Sequence, residues 1–186
     1  TFPYYDEISL IFHGGEPLLA GIDFYNAAFK IIDKYSKNKK LFFGLQTNGS
    51  LIDDKFISFF KKHDIKVSIS FDGPGSLNSL RDQTKKVTDI IMYCKKKKLD
   101  INLLGVIHNS NINNQVDYYN FAKENRFNLK LNPIFKSGKA IDNFEYLLDA
   151  ETYITKLKEW FLLWKEDESP LRIDPLFNLT MMTLNG

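Results

Sequence analysis

The sequence predicts an α/β chain, an incomplete parallel (β/α) partial TIM-type barrel of about five βα units. Three observations carry that expectation. Short apolar runs alternate with amphipathic segments along most of the 186 residues. Every apolar run stops abruptly in polar or Gly/Pro residues. In the run Lys66–Phe71, small polar side chains alternate with large apolar ones. Strands and helices alternating at this spacing argue for parallel strands joined by right-handed crossovers.

The first strand is expected over Ile8–Phe12, where it breaks off in the stretch HGGEP. Two adjacent glycines are entropically costly, so the backbone there bends tightly or comes close to something. Pro17 sits where a helix can begin, and an amphipathic pattern follows over Asp23–Tyr35. The second strand, Leu41–Leu45, runs into QTNG. A helix over Asp53–Lys62 comes next, with Asp53 or Ile52 at its cap. The third strand, Lys66–Phe71, ends in SFDGP and leads to a helix over Gln83–Lys97. The run Lys95–Lys98 reads as a solvated helix end, where positive charge suits the dipole; a basic binding patch is the alternative.

The fourth strand, Ile101–Ile107, ends in HNSN, and a helix is expected over Asn114–Glu124. The fifth, Leu129–Ile134, finishes in NPIFKSG, and a longer helical pattern over Ala150–Lys165 contains Trp160, Phe161 and Trp164. A closed eight-stranded barrel needs more chain, typically ~250 residues. Five strands make a partial barrel or an open sheet, and a doubly wound sheet is the alternative.

In βα proteins the C-terminal strand ends and the loops after them form the functional rim. Alternation puts Ser68, Ser70 and Asp72 on one face of the third strand and Val67, Ile69 and Phe71 on the other. The apolar face should meet the helices. The polar face should line an interior that holds something hydrated or charged, and Gln46 and Asn48 share a face in the same way.

Composition narrows the function classes. Net charge is +2, with 25 basic and 23 acidic residues, which gives no electrostatic case for nucleic acid or membrane partners. No apolar run approaches the ~20 residues that span a bilayer, no signal-peptide pattern is present, and one cysteine excludes an internal disulfide. The cytosol is the expected compartment.

The motifs HGGEPLL, LQTNGSLID and SISFDGP, in that order and each at a strand end, resemble the radical S-adenosylmethionine superfamily. The similarity runs from about Ile8 to Ala140. It is closest to the branch carrying a cysteine-rich C-terminal SPASM domain, especially the anaerobic sulfatase-maturating enzymes. The resemblance implies a partial (β/α) barrel and S-adenosylmethionine bound to a [4Fe–4S] cluster. It also implies reductive cleavage to a radical that abstracts hydrogen from a protein or peptide substrate, a sulfatase in the sulfatase-maturating branch, with an electron donor as a further partner. The cofactor carries the hard chemistry and the protein supplies position and electrostatics. Formylglycine formation is the leading expectation. A ribosomal-peptide maturase and a cluster-free binding or scaffold module are the alternatives.

Carried over by motif, Gly14, Gly15, Glu16 and Pro17 resemble the segment that meets the methionyl ammonium, whose donors suit a carboxylate and exposed carbonyls. The competing reading of Glu16 is an acid at a helix start. Gln46 and Asn48 resemble the polar pair lining the cofactor side of the cavity, against ordinary Asn-Gly turn chemistry. Ser70 matches the ribose-contacting serine, and Asp72 is expected to cap the following loop through an Asx-type bond. Arg81 resembles the arginine that pairs with the methionyl carboxylate, bidentate fork to carboxylate. Here the chain departs from the pattern: Asn78-Ser79 stand where His-Asp is common, and Arg81 lies about one residue early. His108 reads as a rim histidine, and Lys136, beside Pro133 and Gly138, as a weak candidate to face substrate.

The cluster motif Cys-x3-Cys-x2-Cys is absent, and the single cysteine, Cys94, reads as a small buried hydrophobe on a helix. No metal ligand is expected in this chain. Residues 1–148 are expected to form the barrel core without its first βα unit. Residues 149–186 are expected to form a helix and a segment leading toward the SPASM domain.

Overall fold

The structure, a computed structural model, describes residues 6–36, 39–81, 84–134 and 144–185. Among the described residues six strands alternate with six α-helices: β1 (Glu7–Phe12), α1 (Gly21–Tyr35), β2 (Lys40–Thr47), α2 (Asp54–Lys62), β3 (Ile65–Ser70), α3 (Thr84–Lys96), β4 (Ile101–Ile107), α4 (Gln115–Asn125), β5 (Asn128–Pro133), α5 (Ala150–Glu166), β6 (Ile173–Asp174) and α6 (Leu176–Asn185). The strands form one open sheet in chain order. The five expected strands and five expected helices are all present. The short β6 and α6 were not expected. Lys136 and Gly138 lie outside the described residues.

The chain packs as two compact units, Thr1–Ser70 with Lys86–Ile101, and Phe71–Lys85 with Asn102–Gly186. In the first unit β1, β2 and β3 pair in parallel, with Phe12 opposite Leu45 and Thr47 opposite Ile69. Its core is aromatic. Tyr25 and Phe29, four apart on α1, are buried against Phe12, Phe43 and the α2 residues Phe56 and Phe59, with ring centroids 4.6–6.1 Å apart. Edge-to-face geometry in several of these pairs adds to simple area burial. The Tyr25 hydroxyl donates to the Pro17 carbonyl at 2.9 Å, so the core of this unit reaches up and holds the loop after β1. The buried face of β3 carries Val67 and Ile69, as the alternation requires, and Ile69 lies with Ile90 of α3 under Gly49.

In the second unit β4, β5 and β6 pair in parallel. Phe71, Tyr118 and Phe121 pack ring against ring, and the Tyr118 hydroxyl donates to the Phe71 carbonyl at 2.6 Å. Gly105 of β4 makes this possible, because a Cβ there would sit 2.9 Å from the Tyr118 ring and 3.2 Å from that carbonyl.

Three helix-to-strand turns share one device. The residues leaving α2, α3 and α4 for the next strand, Asp64, Lys98 and Arg126, all have positive φ, at 46°, 55° and 59°. Around Lys98 and Arg126 the bonds form the Schellman pattern: Leu99 N–H donates to Cys94 and Phe127 N–H to Ala122, while the left-handed residues donate to Lys95 and Lys123. Leu99 and Phe127 then bury the apolar residue this cap calls for. A side chain in that conformation costs about 1–2 kcal/mol, offset in part by the extra chain entropy of glycine. Lys98→Gly and Arg126→Gly are each expected to stabilise by about 0.5–1 kcal/mol, read as a higher urea midpoint; a lower midpoint for both contradicts the cap.

At the end of α5, Asp167 accepts from the Tyr119 hydroxyl, from the Lys123 ammonium at 2.7 Å and from the Ser169 N–H at 2.9 Å. These donors, Lys123 first, hold its carboxyl down at about 2. In the unfolded chain the group titrates near 4. The stability it contributes is therefore complete above about pH 4 and lost as pH falls from 4 toward 2. Asp167→Asn is expected to flatten the acid limb of stability in that window, measured as urea midpoint against pH. An unchanged limb would contradict the assignment.

Candidate functional site

The loop after β1 is shaped by its glycines. Gly14 and Gly15 have φ of +100° and +24°, and a Cβ at either would meet nothing within 4 Å. They serve the bend, and they leave the backbone uncovered. Glu16 then caps the 3-10 turn Pro17–Ala20, with Pro17 in its first turn.

The Glu16 carboxylate does three things at once. Its Oε1 accepts from the Leu18 N–H at 3.1 Å and from the Thr47 hydroxyl at 2.7 Å, and its Oε2 accepts from the Asn48 N–H at 2.8 Å. It ties the tip of β1 to the tip of β2. A carboxylate offers about four lone-pair sites, so among the described residues Oε2 keeps one acceptor site unspent. Thr47 passes the connection on, its hydroxyl oxygen accepting from the Gly49 N–H at 3.0 Å.

Asn48 is exposed, and its side-chain carbonyl accepts from the Ser50 N–H at 2.8 Å. The turn chemistry expected of Asn-Gly is therefore present, with Gly49 at φ +81°. Gln46 is half-buried beside Ser68, its partner in register on β3. Ser70 is half-buried one step beyond the last registered β2–β3 pair. Gly14, Gly15, Glu16, Pro17 and Asn48 thus come together around one carboxylate, while Gln46 and Ser70 lie along the neighbouring strand tips.

In the second unit, Arg81 lays its fork on Asp72: Nε donates to Oδ2 at 2.7 Å and Nη2 to Oδ1 at 2.9 Å. The Asp72 side chain is only 4% exposed and also accepts from the Val106 N–H at 2.7 Å. The expected Asx-type cap by Asp72 does not form. The loop is closed in the opposite sense, by the Asp72 N–H donating to the carbonyl of the buried Asn78 side chain at 2.8 Å. The reason is electrostatic: a buried carboxylate needs a cation and N–H donors, and Arg81 with Val106 supply them. Asp72 is the polar residue whose weight sequence reasoning underrated. An Arg nine residues after an acid at a strand end was the available signal.

His108 follows β4 and is buried, as are Asn111 and Gln115. Burial lowers the pKa of the His108 ring; Asp72 pulls it upward and Arg81 downward. Cys94 is buried, its thiol pushed up to about 11 by burial. Among the described residues no group of three His, Cys, Asp or Glu side chains could hold a metal ion. The residues present therefore do not fit a [4Fe–4S] cluster, which needs thiolates. They do fit an ammonium-bearing ligand at Glu16.

No family model matches the chain. It is 32% identical over 173 residues to a cysteine-type anaerobic sulfatase-maturating enzyme of Clostridium perfringens, covering 86% of this chain and 46% of that protein. It is 30% identical over 125 residues to a serine-type anaerobic sulfatase-maturating enzyme of Bacteroides thetaiotaomicron, covering 63% of this chain and 30% of that one. Homologues of the chain thus include proteins named anaerobic sulfatase-maturating enzyme. The solved structure described as native anSMEcpe with bound AdoMet superposes with a TM-score of 0.86 at 29% identity, over 98% of this chain and 54% of that one. The same enzyme with AdoMet and the Kp18Cys peptide gives 0.81 at 30% identity, over 90% of this chain and 50% of that one. The chain spans about half the length of the Clostridium relatives. The open parallel sheet is the α/β fold of radical S-adenosylmethionine enzymes.

The Asp72–Arg81 pair makes a direct prediction. Arg81→Met leaves a buried carboxylate with one N–H donor and is expected to cost about 3 kcal/mol. Asp72→Asn combined with Arg81→Met is expected to cost less than the sum of the two single changes by at least about 1 kcal/mol. Additive urea-denaturation values for the two changes contradict the pairing.

Proposed function

We propose that this chain is the S-adenosylmethionine-binding core of a radical enzyme that oxidises a side chain of a protein or peptide, as in formylglycine maturation of a sulfatase. The observation that carries this reading is the strand-tip arrangement around Glu16, on a fold whose solved relative is described with AdoMet bound. Gly14, Gly15, Glu16 and Pro17 receive the ligand's ammonium, the spare Oε2 site accepting one of its three N–H donors. Gln46, Asn48 and Ser70 supply polar contacts at the next tips. One-electron cleavage to a hydrogen-abstracting species is what the cofactor supplies in such enzymes. The described residues do not hold the cluster and the electron donor that this requires.

No helix of the described residues is long and apolar enough to cross a membrane, and the proposal places the enzyme in the cytosol. The test is calorimetric titration of the 186-residue chain with S-adenosylmethionine. Saturable binding at one site is expected, weakened roughly tenfold by Glu16→Gln through loss of a charge-assisted bond. Gln46→Ala, which leaves the clamp intact, is expected to weaken it less. Absence of binding, or binding indifferent to both changes, overturns the reading.

A further inference from the structure

His108 lies at the C-terminal end of β4, where parallel α/β sheets place their ligands, and only 2% of its surface is exposed. Its surroundings determine which ring nitrogen carries the proton. The Asn111 side chain is oriented without ambiguity: its Oδ1 accepts from the His108 N–H at 3.0 Å, and its Nδ2 donates to the Val106 carbonyl at 2.9 Å. That same Nδ2 lies 3.0 Å from His108 Nε2. An amide nitrogen only donates, so Nε2 accepts, and the proton of the neutral ring is on Nδ1. Gln115 reinforces the arrangement, its Nε2 donating to the Asn111 carbonyl at 3.0 Å.

Nδ1 is buried, and no protein group among the described residues accepts from it. An unsatisfied buried donor is costly, and such groups are rare enough in native folds to require a reason. The surrounding charges point to the class of acceptor. Asp72 and Arg81 act on the ring in opposite directions and are paired with each other. The ring is thus a neutral donor beside a neutralised ion pair, which suits an uncharged oxygen better than a carboxylate or phosphate. The Tyr146 ring stands edge-on to it at 5.9 Å, and the Asn109 N–H and side-chain amide hold the Glu145–Tyr146 carbonyls in place.

We infer that His108 is a substrate-binding residue whose Nδ1–H donates to a main-chain carbonyl of a bound peptide. The inference rests on the peptide substrate of the reading above and adds the residue that receives it.

The test uses the isotopically labelled 186-residue chain. Long-range 1H–15N spectra of His108 are recorded alone, with a synthetic cysteine-containing peptide amide, and with S-adenosylmethionine. The Nδ1-protonated tautomer is expected in the free chain, with its proton moving downfield on saturation with peptide and staying in place with S-adenosylmethionine. Asn111→Asp puts an acceptor opposite Nε2, so it is expected to move the proton there and abolish the peptide response. An Nε2-protonated ring in the free chain, a donor that exchanges magnetisation with water and ignores the peptide, or a shift with S-adenosylmethionine alone each overturns the inference. Calorimetry with S-adenosylmethionine on the same sample separates the two proposals. Intact cofactor binding with a silent His108 sinks this inference only, and a responsive His108 without cofactor binding sinks the cofactor reading only.

Discussion

A parallel strand that runs out into a loop leaves its last N–H groups beyond the ladder, and each one that is buried must find another acceptor. This chain answers that constraint with side chains planted on neighbouring tips. Glu16, after β1, takes the Asn48 N–H beyond β2. Asp72, after β3, takes the Val106 N–H of β4. Asn111 takes the His108 N–H beyond β4, and Asn78 takes the N–H of Asp72 itself. The polar punctuation at the strand ends is therefore first a means of closing the sheet. Ligand chemistry has to be built from whatever those groups have left.

What is left differs sharply between the two carboxylates. Asp72 accepts two bonds from Arg81 and one from Val106 in a side chain that is almost fully enclosed. Nothing about it invites a ligand, and its role is to hold the Phe71–Arg81 loop against β4. Glu16 accepts three bonds as well, but among the described residues none comes from a cation, and the glycines beside it open onto space. A negative charge balanced only by neutral donors attracts a positive ligand group; a charge already paired with a guanidinium does not.

How much of this was legible in the sequence follows from the range of the interactions. Strands such as Ile101–Ile107 and caps such as Asp53 were readable, because alternation, capping chemistry and turn residues act within a few positions. The apolar faces of β3 and α3 were readable for the same reason. The pairs that build the tips were not: Glu16 with Asn48 spans 32 positions and Asp72 with Val106 spans 34. No local rule links them, so Asp72 read as an Asx-type cap and His108 as an ordinary rim histidine. β6 was missed because two residues, Ile173 and Asp174, give alternation nothing to work with.

The same logic explains why the loop residues of a βα tip are hard to assign to either structure or ligand. A side chain that satisfies a strand end must be buried, oriented and conformationally fixed, and those properties are also what a binding group needs. Asn111 shows the link most directly. By accepting from one backbone N–H and donating to one backbone carbonyl it finishes β4, and in doing so it fixes the tautomer of His108. Closing the sheet thus sets the direction of a neighbouring donor at no additional conformational cost. A tip residue is best judged by its remaining valence. The charge of Asp72 is met by a guanidinium and that of Glu16 by neutral donors only, and the described residues leave His108 Nδ1 without an acceptor.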